Sequence, residues 1–176
     1  MLAVITIRPF IEEDWANIWS IIEPVFRAGE TYAFRPDISE ADAYQAWVAR
    51  PLATFVAVDE KGDVLGTYYI KANQPGAGAH VCNCGYIVAE GARGQGIASA
   101  MCKHSQGEAV ACGFRAMQYN LVVASNEGAV RLWQKHGFAI IGTLPQAFRH
   151  PRLGFVDAHV MHKLLLPNGG GTQQNG

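Results

Sequence analysis

The segment at 90–101, EGARGQGIASAM, places three glycines and one arginine in its first seven positions, before a helical pattern begins. Free N–H groups in the first turn of a helix, together with the helix dipole, favour a bound anion. The small residues Gly94, Gly96 and Ala98 leave room for a pyrophosphate beside the backbone, and Arg93 adds a positive charge. We therefore predict a phosphate-binding turn. A glycine-rich turn ahead of an ordinary helix fits the same letters equally well.

Two common phosphate motifs do not fit this segment. A nucleoside-triphosphate loop needs a lysine followed by serine or threonine, and neither is present. A dinucleotide-binding turn needs the spacing G-x-G-x-x-G early in a strand–helix–strand unit. Here the glycine spacing differs and the segment lies in the middle of the chain. The remaining chemistry is an anion held by main-chain N–H groups without a metal ion.

Three asparagines occupy positions at which a polar side chain calls for an explanation. Asn83 and Asn120 lie within the apolar runs HVCNCGYIV and AMQYNLVV, where an amide without a hydrogen bond costs free energy. Asn126 precedes a helical pattern and is typical of an N-cap. Strand alternation separates Asn83, Gly85 and Ile87 from Cys82, Cys84, Tyr86 and Val88. From the residues alone, bonds to neighbouring strands explain Asn83 and Asn120, and capping explains Asn126.

The elements that position these residues follow from hydrophobic periodicity. We predict strands at 4–8, 54–58, 64–72, 80–88, 116–123, 138–144 and 155–165. We predict a helix from Trp15 that ends near Pro24, one from Ser39 through Trp47, one from the glycine segment to about Cys112, and one from Asn126 to Gly137. Turn signals between the early strands predict antiparallel pairing, and helices flanking the fifth strand permit parallel pairing there. The order is that of a mixed α/β (α+β) domain.

Composition limits the class of protein. The 176 residues, 49% of them hydrophobic and 16% charged, suit one compact domain. A net charge of −1 gives no basic stripe for nucleic acid and no polybasic membrane anchor. No apolar run reaches the roughly 18 residues of a membrane span, and the first ten residues resemble a strand more than a signal peptide. The tail at 167–176 lacks apolar residues and is predicted to be disordered.

The four cysteines favour buried thiols over a metal site. Cys82 and Cys84 form a C-x-C pair, but no second pair with metal-site spacing follows it. We therefore predict a cytoplasmic, reduced protein without a metal ion.

Two motifs together resemble the GCN5-related N-acetyltransferases. The pattern R-x-x-G-x-A directly after an apolar strand is similar to the pyrophosphate-binding motif of that family, and NEGAVRLWQKHGF is similar to its other signature. The separation of the two motifs and the order of elements also match. The resemblance implies one domain at 1–166 with a mixed, mostly antiparallel sheet of about seven strands and flanking helices. It also implies splayed fourth and fifth strands and acetyl-CoA as cosubstrate.

The resemblance further implies where acetyl-CoA binds. The pyrophosphate would lie on Arg93, Gly94, Gln95, Gly96, Ile97 and Ala98. The pantetheine arm would pair with main-chain groups of Tyr86, Ile87 and Val88, and the N–H of Val88 would polarise the thioester carbonyl. The last helix would contribute Asn126, Ala129 and Trp133.

Trp133 departs from the family pattern, because it occupies the position of a tyrosine that commonly protonates the departing thiolate. An indole N–H does not yield its proton at ordinary pH, so this role is not transferred to Trp133. A thiol with a pKa near about 8.5 leaves tolerably as an anion. Packing against the core, beside the pantetheine arm, is the simpler interpretation of Trp133.

A closer resemblance concerns the acceptor. The stretches GETYAF, NCGYIV and YNLVVASNEGAVRLW are similar to the yeast proline-analogue (azetidine-2-carboxylate) N-acetyltransferases. That resemblance assigns Asn83 and Asn120 to the substrate side, with Asn83 beside the reacting atoms, and Asn126 to acetyl-CoA. Thr31, Tyr32 and Phe34 would form a wall of the acceptor pocket, although an ordinary surface loop is equally compatible. Arg149, His150 and Arg152 are predicted to lie in a solvated turn between the last two strands, with a contribution to the pocket or a dimer contact as the alternative.

The expected activity is transfer of an acetyl group from acetyl-CoA to a small amine, such as an amino acid or a toxic proline analogue. A phosphinothricin-like compound or a polyamine is the alternative acceptor, and acetylation of protein lysines is a further possibility. The missing tyrosine also allows a non-catalytic acyl-CoA sensor. Pairing of the last strands across a two-fold axis predicts a homodimer.

Overall fold

The computed structural model describes residues 4–165 and contains one seven-stranded sheet. The strands, in chain order, are β1 (Thr6–Pro9), β2 (Ala53–Val58), β3 (Val64–Ala72), β4 (Val81–Val88), β5 (Ala116–Val123), β6 (Ala139–His150) and β7 (Gly154–Leu164). Their order across the sheet is β1-β2-β3-β4-β5-β7-β6. The predicted mixed sheet of seven strands is confirmed.

The sheet is antiparallel except between β4 and β5. These two strands pair in parallel at only two positions, Val81 with Ala116 and Cys82 with Met117. Beyond these two positions, β4 continues to Val88 and β5 to Val123, but the two strands no longer pair with each other. The predicted splay of the fourth and fifth strands is therefore present, and it opens a gap in the middle of the sheet.

Helices cover both faces of the sheet. On one face lie α1 (Trp15–Ala28) and α2 (Glu40–Tyr44), the latter continuing as a π-helical turn at Gln45–Ala49. Their apolar side chains pack on odd-numbered β4 and β3 residues such as Ile87 and Tyr69. On the other face, α3 (Ile97–Ala111) and α4 (Glu127–Lys135) pack against Cys82, Cys84 and Tyr86. The alternation predicted for the fourth strand is thus confirmed.

Some predicted boundaries differ from those in the structure. The first helix does not stop before Pro24 but continues one turn beyond it, to Ala28. Pro24 is exposed, so the carbonyl of Ser20, which loses its helical partner, lies on the solvent side. Burial of Ile22 and Phe26 on the opposite side keeps the helix intact.

The second helix leaves α-helical geometry at Tyr44 rather than running to Trp47 as an α-helix. The sixth strand is longer than predicted, because β6 extends to His150, whereas β7 is shifted by only one residue and begins at Gly154. The predicted disordered tail lies outside the described residues. Within 4–165, no helix is both long and apolar enough to cross a membrane.

Candidate active site

The open edge of β4 presents main-chain groups to the gap. Alternate residues of β4 bond in opposite directions: the carbonyl of His80 accepts from Arg115 N on the β5 side at 2.8 Å, whereas Ala89 N donates to Leu65 O on the β3 side at 2.8 Å. The even-numbered residues therefore direct their N–H and C=O groups toward β5. Tyr86 and Val88 lie beyond the last parallel pair, so their main-chain groups face the gap.

Tyr32 meets this edge from the loop after α1. Its hydroxyl accepts a hydrogen bond from Tyr86 N at 2.8 Å and donates one to Tyr86 O at 2.7 Å. Burial raises the pKa of the Tyr32 phenol far above its ordinary value, so the hydroxyl stays neutral and can donate and accept at once. Its ring packs against the rings of Phe26, Phe34 and Trp47. The loop predicted to bind the acceptor thus contacts the strand predicted to bind the donor.

Asn83 bridges the two strands at the point where they separate. It follows the last parallel pair, and its Nδ2 donates to the main-chain oxygen of Gln118 at 2.8 Å. The residue is 8% exposed. No described residue donates a hydrogen bond to its Oδ1, which leaves that oxygen for a ligand. The bond to a neighbouring strand that the residues alone suggested is therefore present, and it leaves a free acceptor.

Asn120 belongs to the same polar network. Its Nδ2 donates to Asn73 Oδ1 at 2.7 Å, and its Oδ1 accepts from Gln118 Nε2 at 3.0 Å. The main-chain oxygen of Gln118 in turn accepts the hydrogen bond from Asn83 Nδ2. The structure thus brings together the two asparagines predicted for the substrate side, through Gln118 and Asn73, which sequence reasoning missed.

The opposite face of the gap is aromatic. Tyr86 Oη lies 2.6 Å from Ser105 Oγ and 3.0 Å from Tyr119 Oη. Burial raises the pKa of both phenols well above the ordinary value, so both stay protonated. The ring of Trp133 packs on these two tyrosines, at centroid distances of 5.0 and 5.2 Å. This arrangement agrees with the packing interpretation of Trp133, and it supplies no ready proton donor in place of the family's tyrosine.

The glycine segment forms an open helix entrance. Gly94 and Gly96 have φ angles of +77° and +80°, values that residues with a Cβ rarely adopt. Gly96 is the N-cap of α3, and no side chain caps the first turn. Arg93 and Gln95 are exposed, whereas Ile97 packs in the core. The turn therefore leaves the N–H groups at the start of α3 to an outside acceptor, as the motif predicts.

A cavity of about 470 Å³ lies where the residues after β5 meet the turn between β6 and β7 and the loop after α1. Its lining residues are Glu30, Thr31, Ser125, Asn126, His150, Arg152 and Leu153. Asn126 caps α4, since its Oδ1 accepts from Ala129 N at 3.3 Å. The cavity places Thr31, predicted for the acceptor, together with Asn126, predicted for acetyl-CoA.

The solvated turn predicted at 149–152 is present for the two arginines, whereas His150 is buried and lines the cavity, as the alternative interpretation allowed. His150 is only 6% exposed, while Arg149 and Arg152 are exposed. The signal in the sequence was the alternation of Phe148, Arg149 and His150, which is strand-like and places the first and third on the same buried side. No group of three or more histidine, cysteine or acidic residues within 4–165 is arranged to hold a metal ion.

The fold and the gap define the class of protein. The model of the acetyltransferase (GNAT) family matches residues 14–138, and the chain belongs to that family. Its members are GCN5-related N-acetyltransferases, enzymes that take an acetyl group from acetyl-CoA. The family and fold predicted from the two motifs are confirmed.

Particular relatives follow. A GCN5-related N-acetyltransferase from Kribbella flavida is 42% identical, with a TM-score of 0.87 over 91% of this chain and 97% of that one. N-acetyltransferase aca1 from Schizosaccharomyces pombe is 36% identical over 113 residues, which are 64% of this chain. The match covers 54% of that relative, so it spans about half its length. A phosphinothricin acetyltransferase from Sinorhizobium meliloti, solved with acetyl-CoA, is 24% identical with a TM-score of 0.82 and shows the shared fold.

Proposed function

We propose that this chain transfers the acetyl group of acetyl-CoA to the amine of a small amino acid, with a proline analogue such as azetidine-2-carboxylate as the model acceptor. The observation that carries this proposal is the gap between β4 and β5, which has free main-chain groups on its edge and an amide network on one face. Membership of the acetyltransferase family supports the donor. The resemblance to the proline-analogue enzymes supports the acceptor.

The donor side is formed by the β4 edge and the start of α3. The pyrophosphate would lie on the turn at 93–98, where Gly94 and Gly96 expose main-chain N–H groups and Arg93 adds charge. The pantetheine arm would run along β4. Because the hydroxyl of Tyr32 already bonds both polar groups of Tyr86, the N–H of Val88 is the free donor for the thioester carbonyl. Asn126, Ala129 and Trp133 would close this side from α4.

The acceptor side is the face that carries Asn83, Asn120 and Tyr32. Since Asn83 Nδ2 is committed to Gln118, its Oδ1 is the group that would hold a water on the acceptor side, through which it would contact the attacking amine. Thr31 and Phe34 would border the entrance of the acceptor.

The chemistry is a direct transfer. The neutral amine attacks the thioester carbon, a C–N bond forms and the C–S bond breaks. The amine proton passes to water, and the thiol departs as its anion, since Trp133 offers no proton. Positioning of two reactants in one gap supplies much of the rate, and main-chain donation to the developing oxyanion supplies the rest.

The test is acetyl-CoA turnover, followed as released thiol, with free amino acids, azetidine-2-carboxylate, phosphinothricin and polyamines as acceptors. Asn83→Ala is compared with Asn17→Ala, an exposed asparagine on α1. Turnover of azetidine-2-carboxylate that falls in Asn83→Ala alone supports the proposal. Turnover confined to polyamines or phosphinothricin would identify one of those compounds, and not an amino acid of the proline-analogue type, as the acceptor. Acetyl-CoA binding without thiol release from any amine identifies a sensor instead.

We also propose a homodimer formed through the β6–β7 hairpin in a reducing cytoplasm. Support for the dimer comes from exposed apolar side chains on this hairpin, including Ile141, Leu144 and Phe155. Support for the compartment comes from four free cysteines, three of them buried. Sedimentation of the wild type and of Ile141→Lys tests the dimer, and a monomeric wild type excludes it.

A further inference from the structure

His150 is a buried titratable group that the proposed chemistry does not use. Its Nδ1 accepts hydrogen bonds from the main-chain N–H groups of Arg152 and Leu153, both at 3.2 Å. A nitrogen that accepts two N–H bonds carries no proton, so the neutral ring holds its proton on Nε2. The turn after β6 therefore fixes His150 as an N–H donor at Nε2.

The Nε2 atom of His150 is the ring nitrogen left for a ligand. Nε2 has no hydrogen-bond partner in the part of the chain that the structure describes. Every described side-chain nitrogen or oxygen that is fully shielded from solvent has a hydrogen-bond partner. Since Nε2 has none, it belongs to the 6% of His150 that is exposed. His150 lines the cavity together with Thr31 and Asn126. A donor without a protein partner, on a residue that lines a cavity, can bond a ligand that accepts a hydrogen bond.

The hydrogen-bond donors around the cavity favour an acceptor group such as a carboxylate as that ligand. Arg152 lies on the rim and pairs with Glu30 at 2.7 Å, which neutralises the one acidic side chain of the lining. The hydroxyl groups of Thr31 and Ser125 are further donors. A guanidinium with five N–H groups retains donors when one carboxylate is bound.

We propose that His150 Nε2–H and Arg152 bind the carboxylate of the amino-acid acceptor and thereby select amino acids over simple amines. This inference rests on the proposed function and names the group by which the acceptor is recognised. His150 acts here as a hydrogen-bond donor to the substrate, not as the base that removes the amine proton, because Nδ1 is held by two N–H donors.

The test compares azetidine-2-carboxylate with azetidine, which has the same ring amine and no carboxylate. The variant is His150→Asn, whose Oδ1 can accept the two main-chain N–H groups while the Nε2–H is lost. We expect the KM and the calorimetric Kd of azetidine-2-carboxylate to rise roughly tenfold or more. We expect the constants for azetidine and for acetyl-CoA to stay unchanged. Thermal unfolding of the variant checks that the turn is preserved.

Lys71→Met is the matched control. Lys71 lies opposite Asn83 in the sheet, with Nζ 5.3 Å from the centre of the Tyr69 ring. It is a second cation, besides Arg152, that a substrate carboxylate could bind. A rise in KM confined to Lys71→Met, or an equal rise for both acceptors in His150→Asn, would overturn the inference. So would the absence of azetidine-2-carboxylate binding to the CoA-loaded wild type.

Binding and turnover separate the two proposals. Carboxylate binding that His150→Asn abolishes, without thiol release from any amine, supports the inference and refutes the proposed function. Turnover of azetidine and azetidine-2-carboxylate with identical constants in both proteins supports acetyl transfer and refutes the role of His150.

Discussion

Asn83 Nδ2 lies 2.8 Å from the main-chain oxygen of Gln118, across the gap between β4 and β5. The two strands share only the pairs Val81–Ala116 and Cys82–Met117, and Asn83 is the next residue of β4. A side-chain amide therefore replaces the next main-chain hydrogen bond of the ladder. This bond holds the strands together at the narrow end of the gap and lets them separate above it.

Removal of this amide should destabilise the fold. Asn83→Ala leaves the carbonyl of Gln118 without its partner beside a residue that is 8% exposed. We expect the free energy of unfolding, measured with urea, to fall by about 1–3 kcal/mol. Asn120→Ala breaks an exposed bond to Asn73 and should change it by no more than about 0.5 kcal/mol. Equal losses in the two variants would refute a special role for the Asn83–Gln118 bond.

The hydroxyl of Tyr32 competes with a ligand for the edge of β4. Tyr32→Phe leaves Tyr86 N–H and C=O free, so the unbound protein should lose about 1–3 kcal/mol of unfolding free energy. If acetyl-CoA pairs with those groups, its calorimetric Kd should decrease in the variant, because no hydroxyl has to be displaced. Tyr44→Phe, which removes an exposed hydroxyl bond to Glu12, is the control and should leave Kd unchanged. A weaker Kd in Tyr32→Phe would show that the hydroxyl assists binding.

Gly85 is needed for the close packing of Tyr69. A Cβ at Gly85 would lie 2.7 Å from the Tyr69 ring, which is 7% exposed and fixed edge-on against Trp47. Gly85→Ala should lower the free energy of unfolding by about 1–3 kcal/mol. Gly91→Ala has no atom within 4 Å of the added Cβ and no positive φ, so it should be close to neutral. A neutral Gly85→Ala would mean that the aromatic cluster moves freely.

His136 should make stability depend on pH. Burial, followed by the nearby cations Lys163, Lys135 and Lys103, lowers the pKa of His136 in the folded protein. Below the ordinary histidine pKa near about 6.5, the unfolded chain therefore binds the proton more readily. Stability from this group is complete above that pH and is lost as pH falls toward the lowered folded value.

The measurement is the urea midpoint between pH 7.5 and pH 5. His136→Gln should flatten this pH dependence, whereas His80→Gln, at an exposed position, should leave it as in the wild type. A wild-type midpoint that rises on acidification would contradict the sign.

The sequence predicted regular elements well because periodicity reports local burial. The bounds of β3 and β5 agree residue by residue with the runs VLGTYYIKA and AMQYNLVV. The predicted boundaries differ from the structure where long-range packing overrides the local preference of the residues. Pro24 remains inside α1 because the buried face of the helix outweighs one missing solvent-side bond.

The candidate site was predicted unevenly for the same reason. The glycine turn is local, so its open geometry followed from the motif. The Tyr32–Tyr86 contact joins residues 54 positions apart, and only the fold brings them together. His150 was predicted first as solvated and only second as a pocket residue, because a histidine between two arginines resembles a surface turn unless the strand is known to continue.

The break between β4 and β5 divides the sheet into two blocks that are also consecutive in the chain. Residues 6–88 form β1 to β4, and residues 116–164 form β5 to β7. Two main-chain pairs join the blocks at this boundary, together with side-chain hydrogen bonds such as Asn83 to Gln118 and Asn120 to Asn73. The seam thus has the fewest main-chain pairs between neighbouring strands of the described sheet, and a ligand along it would take the place of a missing strand. Ligand binding at the seam and the cooperativity with which the two blocks unfold would then both report how strongly the blocks are joined.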